Sequence, residues 1–498
     1  MESLKILYMA VAVFLLTTQA PSISAAGLQK ISVNADGWFV DPNGRVMLFH
    51  GINMVQKGFP WYPATLLNKT KLRDYKNWGF NAVRLGMMWS GLEPQEGVFN
   101  TTYANIMSSI VDTLENYGMY SLLDMHQDVM SSKFQSYDGI PLWLVNKLPN
   151  PSQDEAFPWP FKNIGSWEDG YLAKATGMAF QGLYSNRSNA LGYFSRFWQT
   201  TAKIFKGRGG VLGYELINEP WAGDIWSNLS LLLPGNAGSR NLMPMYNVIN
   251  KAIRAVDDDT IIFYEPVTWG VIYKNDYHHF GTGFNMVPGG NDYKNRSALS
   301  YHYYCWFDKP ADEPFPYPEW KRIACDDFWG PFVFLAVRGD REKIGGGSFL
   351  TEFGICSTDG NNKTEGTVEC ESTMQGADAA LQSWTYWDSS FYYSNGSVNW
   401  NQVRSFSRVY PRATAGTPKY LNFNLTSLIF TYRYVHLVAI QQPTEIFVPK
   451  FHYPKGFTVE LKGQLKWTFD INECVIYVTP VDSKLKYINA QVIIKPKT

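Results

Sequence analysis

Leu212-Gly-Tyr-Glu-Leu-Ile-Asn-Glu-Pro220 is an apolar run that ends in an amide, a carboxylate and a proline. Seven more short runs share its texture: residues 46–50, 82–85 and 121–124 before it, and 260–264, 299–302, 348–351 and 383–387 after it. They are nearly continuous rather than alternating, as strands buried on both faces are. Segments between them, such as 105–117, 193–205 and 246–256, carry apolar residues at helical spacing. Strand and helix in alternation imply a parallel sheet, and eight such units imply a closed (β/α)8 TIM barrel. The widest gap, between the third and fourth runs, holds Ala156-Phe-Pro-Trp-Pro-Phe161. That stretch reads as an insertion over the barrel mouth.

The texture changes after about Tyr410. Residues 411–418 read as a Thr/Ala/Gly/Pro connector, and short runs at 428–432, 444–448, 458–461, 475–478 and 490–494 follow. Their spacing predicts an antiparallel β-sandwich. The expected organisation is therefore a leader over 1–26, a catalytic barrel over 27–410 and a sandwich over 411–498.

The leader is read from Lys5, the apolar run 6–16 and the small residues Ser24-Ala-Ala26 ahead of Gly27. This is the order of a secretory signal, and the apolar part is too short to span a bilayer. Eight Asn-x-Ser/Thr sequons, at Asn68, Asn100, Asn186, Asn228, Asn295, Asn362, Asn395 and Asn424, predict a secreted glycoprotein, extracellular or in a digestive or lysosomal compartment. Of the arrangements that five cysteines allow, Cys305–Cys325 and Cys356–Cys370 close the shortest loops, leaving Cys474 over. There is no Cys-x-x-Cys and no Cys/His spacing of a zinc site in the sequence, so neither a metal nor another cofactor is expected.

Forty-four basic and 44 acidic side chains cancel, which removes the electrostatic footprint of a nucleic-acid binder. Aromatic residues make up 16% of the chain, more than a core needs, and imply surfaces that hold a ligand.

Reactive groups of a barrel enzyme project from the C-terminal strand ends. Those ends offer Arg84, His126, Asn218, Glu219, Glu265, His302, Tyr304, Glu352 and Trp387. Glu219 after the fourth strand and Glu352 after the seventh face each other across a barrel. Two opposed carboxyl groups suit glycoside hydrolysis, one protonated to help the leaving oxygen and the other ionised to attack the anomeric carbon. Arg84 would hold Glu352 ionised, and Asn218 would grip the sugar 2-hydroxyl. His302 and Tyr304 would orient the carboxylates, and Trp387 would floor the sugar site. The charge of Glu352 is expected to raise the Glu219 pKa. Glu265-Pro266 repeats the Glu-Pro pattern after the fifth strand and competes with Glu219 for the acid role.

In this order Arg84, His126, Asn218-Glu219-Pro220, His302-x-Tyr304, Glu352-Phe-Gly and Trp387 resemble the signature of the cellulase-like glycoside hydrolase family 5. The blocks Gly79-Phe-Asn-Ala-Val-Arg-Leu-Gly-Met-Met-Trp89, Leu123-Asp-Met-His-Gln-Asp128 and Tyr214-Glu-Leu-Ile-Asn-Glu-Pro-Trp221 are similar to its endoglycoceramidase branch. The resemblance implies a retaining enzyme with Glu219 as acid/base and Glu352 as nucleophile. It also implies sugar contacts at Lys57, His126, Asp128, Asn218, Tyr304 and Trp387. The substrate it implies is a glycosphingolipid, cut between glucose and ceramide by a monomer in transient contact with a membrane or micelle. An apolar groove for the lipid is expected from Phe157, Trp159 and Phe161 together with Leu229-Ser-Leu-Leu-Leu-Pro234. The alternatives are a secreted endo-β-glucanase and a non-catalytic carbohydrate-binding glycoprotein.

Overall fold

A computed structural model of the protein describes residues 27–267, 281–305 and 318–497, apart from 355, 389 and 483. The expected leader at 1–26 lies outside the described residues. Eight parallel strands close a barrel: β1 (His50–Met54), β2 (Ala82–Gly86), β3 (Tyr120–Asp124), β4 (Val211–Glu215), β5 (Ile261–Tyr264), β6 (Ser297–Tyr303), β7 (Gly347–Phe353) and β8 (Ser383–Tyr386). Almost every residue in them is buried, which is why their sequences are continuous rather than alternating. Helices pack outside, among them α1 (Lys69–Asn77), α2 (Thr101–Asn116), α3 (Ala190–Phe205), α4 (Met243–Arg254), α5 (Gly330–Ile344) and α6 (Glu365–Ala379). Asn68 and Asn100 start α1 and α2 by accepting backbone N–H groups of the first turn. Phe39, Phe49, Tyr120, Phe263 and Phe349 interlock as a plug at the strands' N-terminal end, leaving the other end for chemistry.

The first strand differs from expectation. Val46–Met47 pairs antiparallel with β9 (Tyr410–Thr414), and the barrel strand begins at His50. Two polar side chains and a glycine disguise it. Gly51 is needed there because a Cβ would lie 2.2 Å from the Ala82 carbonyl oxygen of the next strand.

The expected connector at 411–418 is also corrected, because it falls within strands β9 and β10 (Gly416–Asn424). They are followed by β11 (Ile429–Leu437), β12 (Thr444–Phe447), β13 (Phe457–Lys462), β14 (Leu465–Asp470), β15 (Val475–Pro480) and β16 (Tyr487–Pro496). An antiparallel sheet in the order β10-β11-β16-β13 faces a second one built from β9, β12, β15 and β14. The second sheet also recruits Ser32–Val33, Phe39–Val40 and Val46–Met47, so the N-terminal segment braces both parts of the molecule. Tyr432, Tyr434, Ile446, Val478 and Val492 belong to the core of this sandwich. The buried Arg408 guanidinium ties the sandwich to the barrel, donating to Asp378 and Glu371 on α6 and to the Phe423 carbonyl on β10. Disulfides join Cys305 to Cys325 and Cys356 to Cys370, and Cys474 is free.

Candidate active site

Arg84, wholly buried on β2, is the hub of the polar barrel mouth. Its Nε donates to Glu215 Oε2 at 2.5 Å. Nη1 donates to Asn53 Oδ1 at 3.0 Å and Glu352 Oε2 at 2.9 Å, while Nη2 donates to Asn218 Oδ1 at 2.8 Å and lies 3.1 Å from Asp124 Oδ2. Burial alone would discourage the charge, but Asp124, Glu215 and Glu352 outweigh it and hold the guanidinium well above its ordinary range. Such a buried cation fixes the geometry of every carboxylate it touches.

Glu352 sits near the end of β7, opposite His302 of β6 in the strand register. Its second oxygen, Oε1, accepts the Tyr304 hydroxyl at 2.5 Å. Burial raises its pKa; His302, Arg84 and the Tyr304 bond pull the other way, while Glu219 adds to the rise. Glu219 has a different setting. It follows β4 with φ of 41°, in the left-handed region. Its Oε1 is 2.9 Å from His302 Nδ1, and no arginine or lysine contacts its carboxyl group among the described residues. Burial and then the Asp128 charge push its pKa up to about 7. The expected cause, the Glu352 charge, is thus corrected: desolvation leads. His302 is held below its ordinary pKa, first by burial. Carboxylate oxygens of Glu219 and Glu352 lie within 4.8 Å of each other, with His302 between them.

A second group adjoins the first through Asp124. His126 Nδ1 is 2.6 Å from Asp124 Oδ2, and its ring stacks on Trp387 at 5.2 Å with an interplanar angle of 5°. Lys57 Nζ donates to Asp128 Oδ2 at 2.5 Å and lies 4.4 Å from the Trp387 ring centre. Although burial alone would raise the Asp128 pKa, His126 and Lys57 lower it, so this carboxylate stays ionised. All ten expected site residues therefore converge. Sequence reading missed Asn53, Asp124, Glu215 and Gln127, which lie in or next to strands. The Gln127 amide donates to the carbonyls of Asn218 and Glu219 at 2.7 and 3.1 Å. Glu265, the competing Glu-Pro carboxylate, is buried behind Glu219 rather than in front of it.

The rim beside this polar mouth is apolar. Trp167 lies 5.9 Å from Lys57 Nζ. Trp226 donates its indole N–H to the Leu172 carbonyl at 3.1 Å and packs on Trp159 at 4.7 Å between ring centres. The insertion and the loop after β4 thus touch each other, and they display Trp167, Leu172, Trp226, Leu229, Leu232 and Leu233 to solvent. Leu231 is 3% exposed and belongs to the barrel core, a correction to its expected place in the groove. Phe157, Trp159 and Phe161 are half-buried.

Residues 40–392 match the family model of cellulase (glycosyl hydrolase family 5), and residues 408–492 match the glycoside hydrolase family 5 C-terminal domain. An endoglycoceramidase of Hydra vulgaris is 36% identical over 93% of this chain and 89% of its own length. One from Cyanea nozakii is also 36% identical, over 88% of each chain. The fold is shared with endo-glycoceramidase II from Rhodococcus sp., solved as a ganglioside GM3 complex, at 22% identity and a TM-score of 0.73 over 93% of this chain and 99% of that one. With opposed carboxyl groups at the mouth of an eight-stranded barrel and a sandwich behind it, the chain belongs to glycosyl hydrolase family 5.

Proposed function

We propose that the protein is a retaining glycosidase that cuts glycosphingolipids between the glucose of the oligosaccharide and the ceramide. The observation that carries this reading is the two-sided mouth. A polar pocket of carboxylates, Lys57 and Trp387 adjoins a rim of exposed tryptophans and leucines. A substrate that is sugar at one end and lipid at the other matches both halves; a soluble glucan matches only one. The names of the Hydra vulgaris and Cyanea nozakii relatives support the same substrate class.

The mechanism follows from the geometry. Retaining enzymes place their carboxyl groups ~5–5.5 Å apart and inverting ones ~6.5–9.5 Å apart, and the 4.8 Å bound between oxygens of Glu219 and Glu352 fits the closer arrangement. Glu219, protonated near neutral pH, gives its proton to the glycosidic oxygen, and ceramide leaves. Glu352, gripped by Arg84 and Tyr304, attacks the anomeric carbon and forms a glycosyl ester. Glu219, now ionised, takes a proton from water as the water opens that ester, so the free oligosaccharide leaves with its anomeric configuration retained. Asn218 offers its amide to the sugar 2-hydroxyl; Lys57, His126 and Asp128 grip other hydroxyls, and Trp387 supports a ring face.

The apolar rim brings the mouth to a membrane or micelle, where the substrate is anchored. Secretion belongs to the same reading and is supported by the composition of residues 1–26 and by eight sequon asparagines that are all exposed. Purified protein incubated with a fluorescent ganglioside should release intact oligosaccharide and ceramide, and should leave carboxymethylcellulose uncut. Cleavage of the cellulose alone would make it an endoglucanase, and inertness towards both would leave the carbohydrate-binding alternative.

A further inference from the structure

A cavity of about 450 Å³ lies outside the barrel wall, between Tyr303 at the end of β6, α5 with the helical residues before it, helix α6, and residues 424–426 at the end of β10. That volume lies within the range of small-molecule sites. Its walls mix Pro331, Phe334 and Val368 with Arg322, Asp327 and Gln375. Two of the eight sequon asparagines, Asn362 and Asn424, line it.

Asn424 is the better placed of the two. Its Oδ1 accepts the Ser427 backbone N–H at 2.8 Å and the Ser427 hydroxyl at 3.0 Å, which fixes the amide plane. The Nδ2 atom, the one that takes an N-linked sugar, makes no hydrogen bond among the described residues. Asn424 belongs to the sandwich, whereas most of the cavity wall belongs to barrel helices. The cavity also borders the buried bridge of Arg408, one of whose partners, Glu371, lines it and another, the Phe423 carbonyl, precedes Asn424.

We propose that Asn424 carries an N-linked glycan whose first N-acetylglucosamine residues seat in this cavity and fasten the sandwich to the barrel. The apolar ring face and acetyl methyl of this sugar suit Pro331 and Phe334, and its hydroxyl and amide groups suit Arg322, Asp327 and Gln375. The inference rests on passage of the chain through a secretory compartment, and not on which substrate the mouth takes.

The test uses the full chain secreted from a eukaryotic host. An endoglycosidase that cuts between the two core sugars is applied to the native protein, and release at each sequon is followed by peptide mass spectrometry. Release at Asn424 should be roughly tenfold slower than at Asn100, the equivalent of ~1.4 kcal/mol of seating, and the two should become equal after unfolding. Thr426→Ala and Asn424→Gln, which remove the sequon in different ways, should both lower Tm by about 2–4 °C, whereas Thr102→Ala should not. An Asn424 that is unmodified, or that loses its glycan as fast as Asn100, overturns the proposal. The release measurement needs only wild-type protein, so it decides the matter even if both variants misfold. Ganglioside cleavage measured in parallel reports on the substrate reading separately.

Discussion

The backbone N–H of Glu219 donates to the Glu265 carboxyl Oε2 at 2.8 Å. This bond holds the residue expected to supply the proton in a left-handed backbone conformation that a non-glycine residue adopts only at a cost of ~1–3 kcal/mol. Gln127 holds the Glu219 carbonyl from the other side. Burial, then the charges of Glu219 and Glu215, push the Glu265 pKa well above the ordinary range, so Glu265 acts as a neutral acceptor. It is a positioning residue.

Glu265→Gln keeps a neutral acceptor at that place and should leave kcat near the wild-type value. Glu265→Ala removes it and should lower kcat by ~10–100-fold, as the loss of a buried hydrogen bond worth ~1–3 kcal/mol requires. Steady-state kinetics on a soluble aryl glycoside read this directly. A dead Glu265→Gln beside an active Glu219→Gln would reverse the assignment of the two Glu-Pro carboxylates.

The pH profile follows from the Glu219 carboxyl, whose folded pKa of about 7 stands above its ordinary value of 4.5. Proton donation requires the protonated form, so kcat/KM should fall on the alkaline side through about pH 7. Folding is linked to the same shift. A raised carboxyl pKa stabilises the folded protein relative to an ionised group below the unfolded value, and that stability is lost as pH rises through the folded value. Glu219→Gln should therefore raise Tm above pH 7 and leave it unchanged below pH 4.5. Equal Tm values at pH 8 would mean that Glu219 is not desolvated.

Strands β2 to β8 were legible because burial on both faces makes a strand a nearly continuous apolar run. His50-Gly-Ile-Asn-Met54 was not, because Asn53 serves the site and Gly51 the close approach of β2. Glu219 and Glu352 could be read from their places at strand ends facing each other. Glu215 and Asp124 end β4 and β3 but are wholly buried, where a carboxylate is expected only if a cation meets it, and no sequence pattern announces that Arg84 reaches both. Likewise Leu231 and its neighbours form one apolar run, and only a three-dimensional turn decides which of them faces inward.

Lys57 should act on sugar binding rather than on bond breaking, since it contacts Asp128 and Trp387 and no contact joins it to Glu219 or Glu352 among the described residues. Lys57→Met keeps the length of the side chain without its charge. It should raise KM for ganglioside about 10–100-fold while kcat changes little, consistent with a lost charged hydrogen bond of ~1.5–3 kcal/mol. An equal loss in kcat would place Lys57 in the transition state.

Within the run 229–233, discrimination for lipid-linked sugar should reside in the exposed leucines and not in Leu231. Leu229, Leu232 and Leu233 are 70%, 41% and 58% exposed, whereas Leu231 is packed in the barrel core. Each methylene of ceramide buried against them contributes ~0.8 kcal/mol, so six would supply about 5 kcal/mol of binding. The triple variant Leu229→Ser, Leu232→Ser, Leu233→Ser should raise KM for ganglioside at least roughly tenfold. Its hydrolysis of a soluble aryl glycoside, which occupies only the polar pocket, should be unchanged, and so should its Tm. Leu231→Ser should do the opposite, lowering Tm through a loss of ~2–5 kcal/mol and impairing both substrates together. A triple variant with an unchanged ganglioside KM would place the lipid on another part of the mouth, and equal losses on both substrates would make these leucines part of the scaffold.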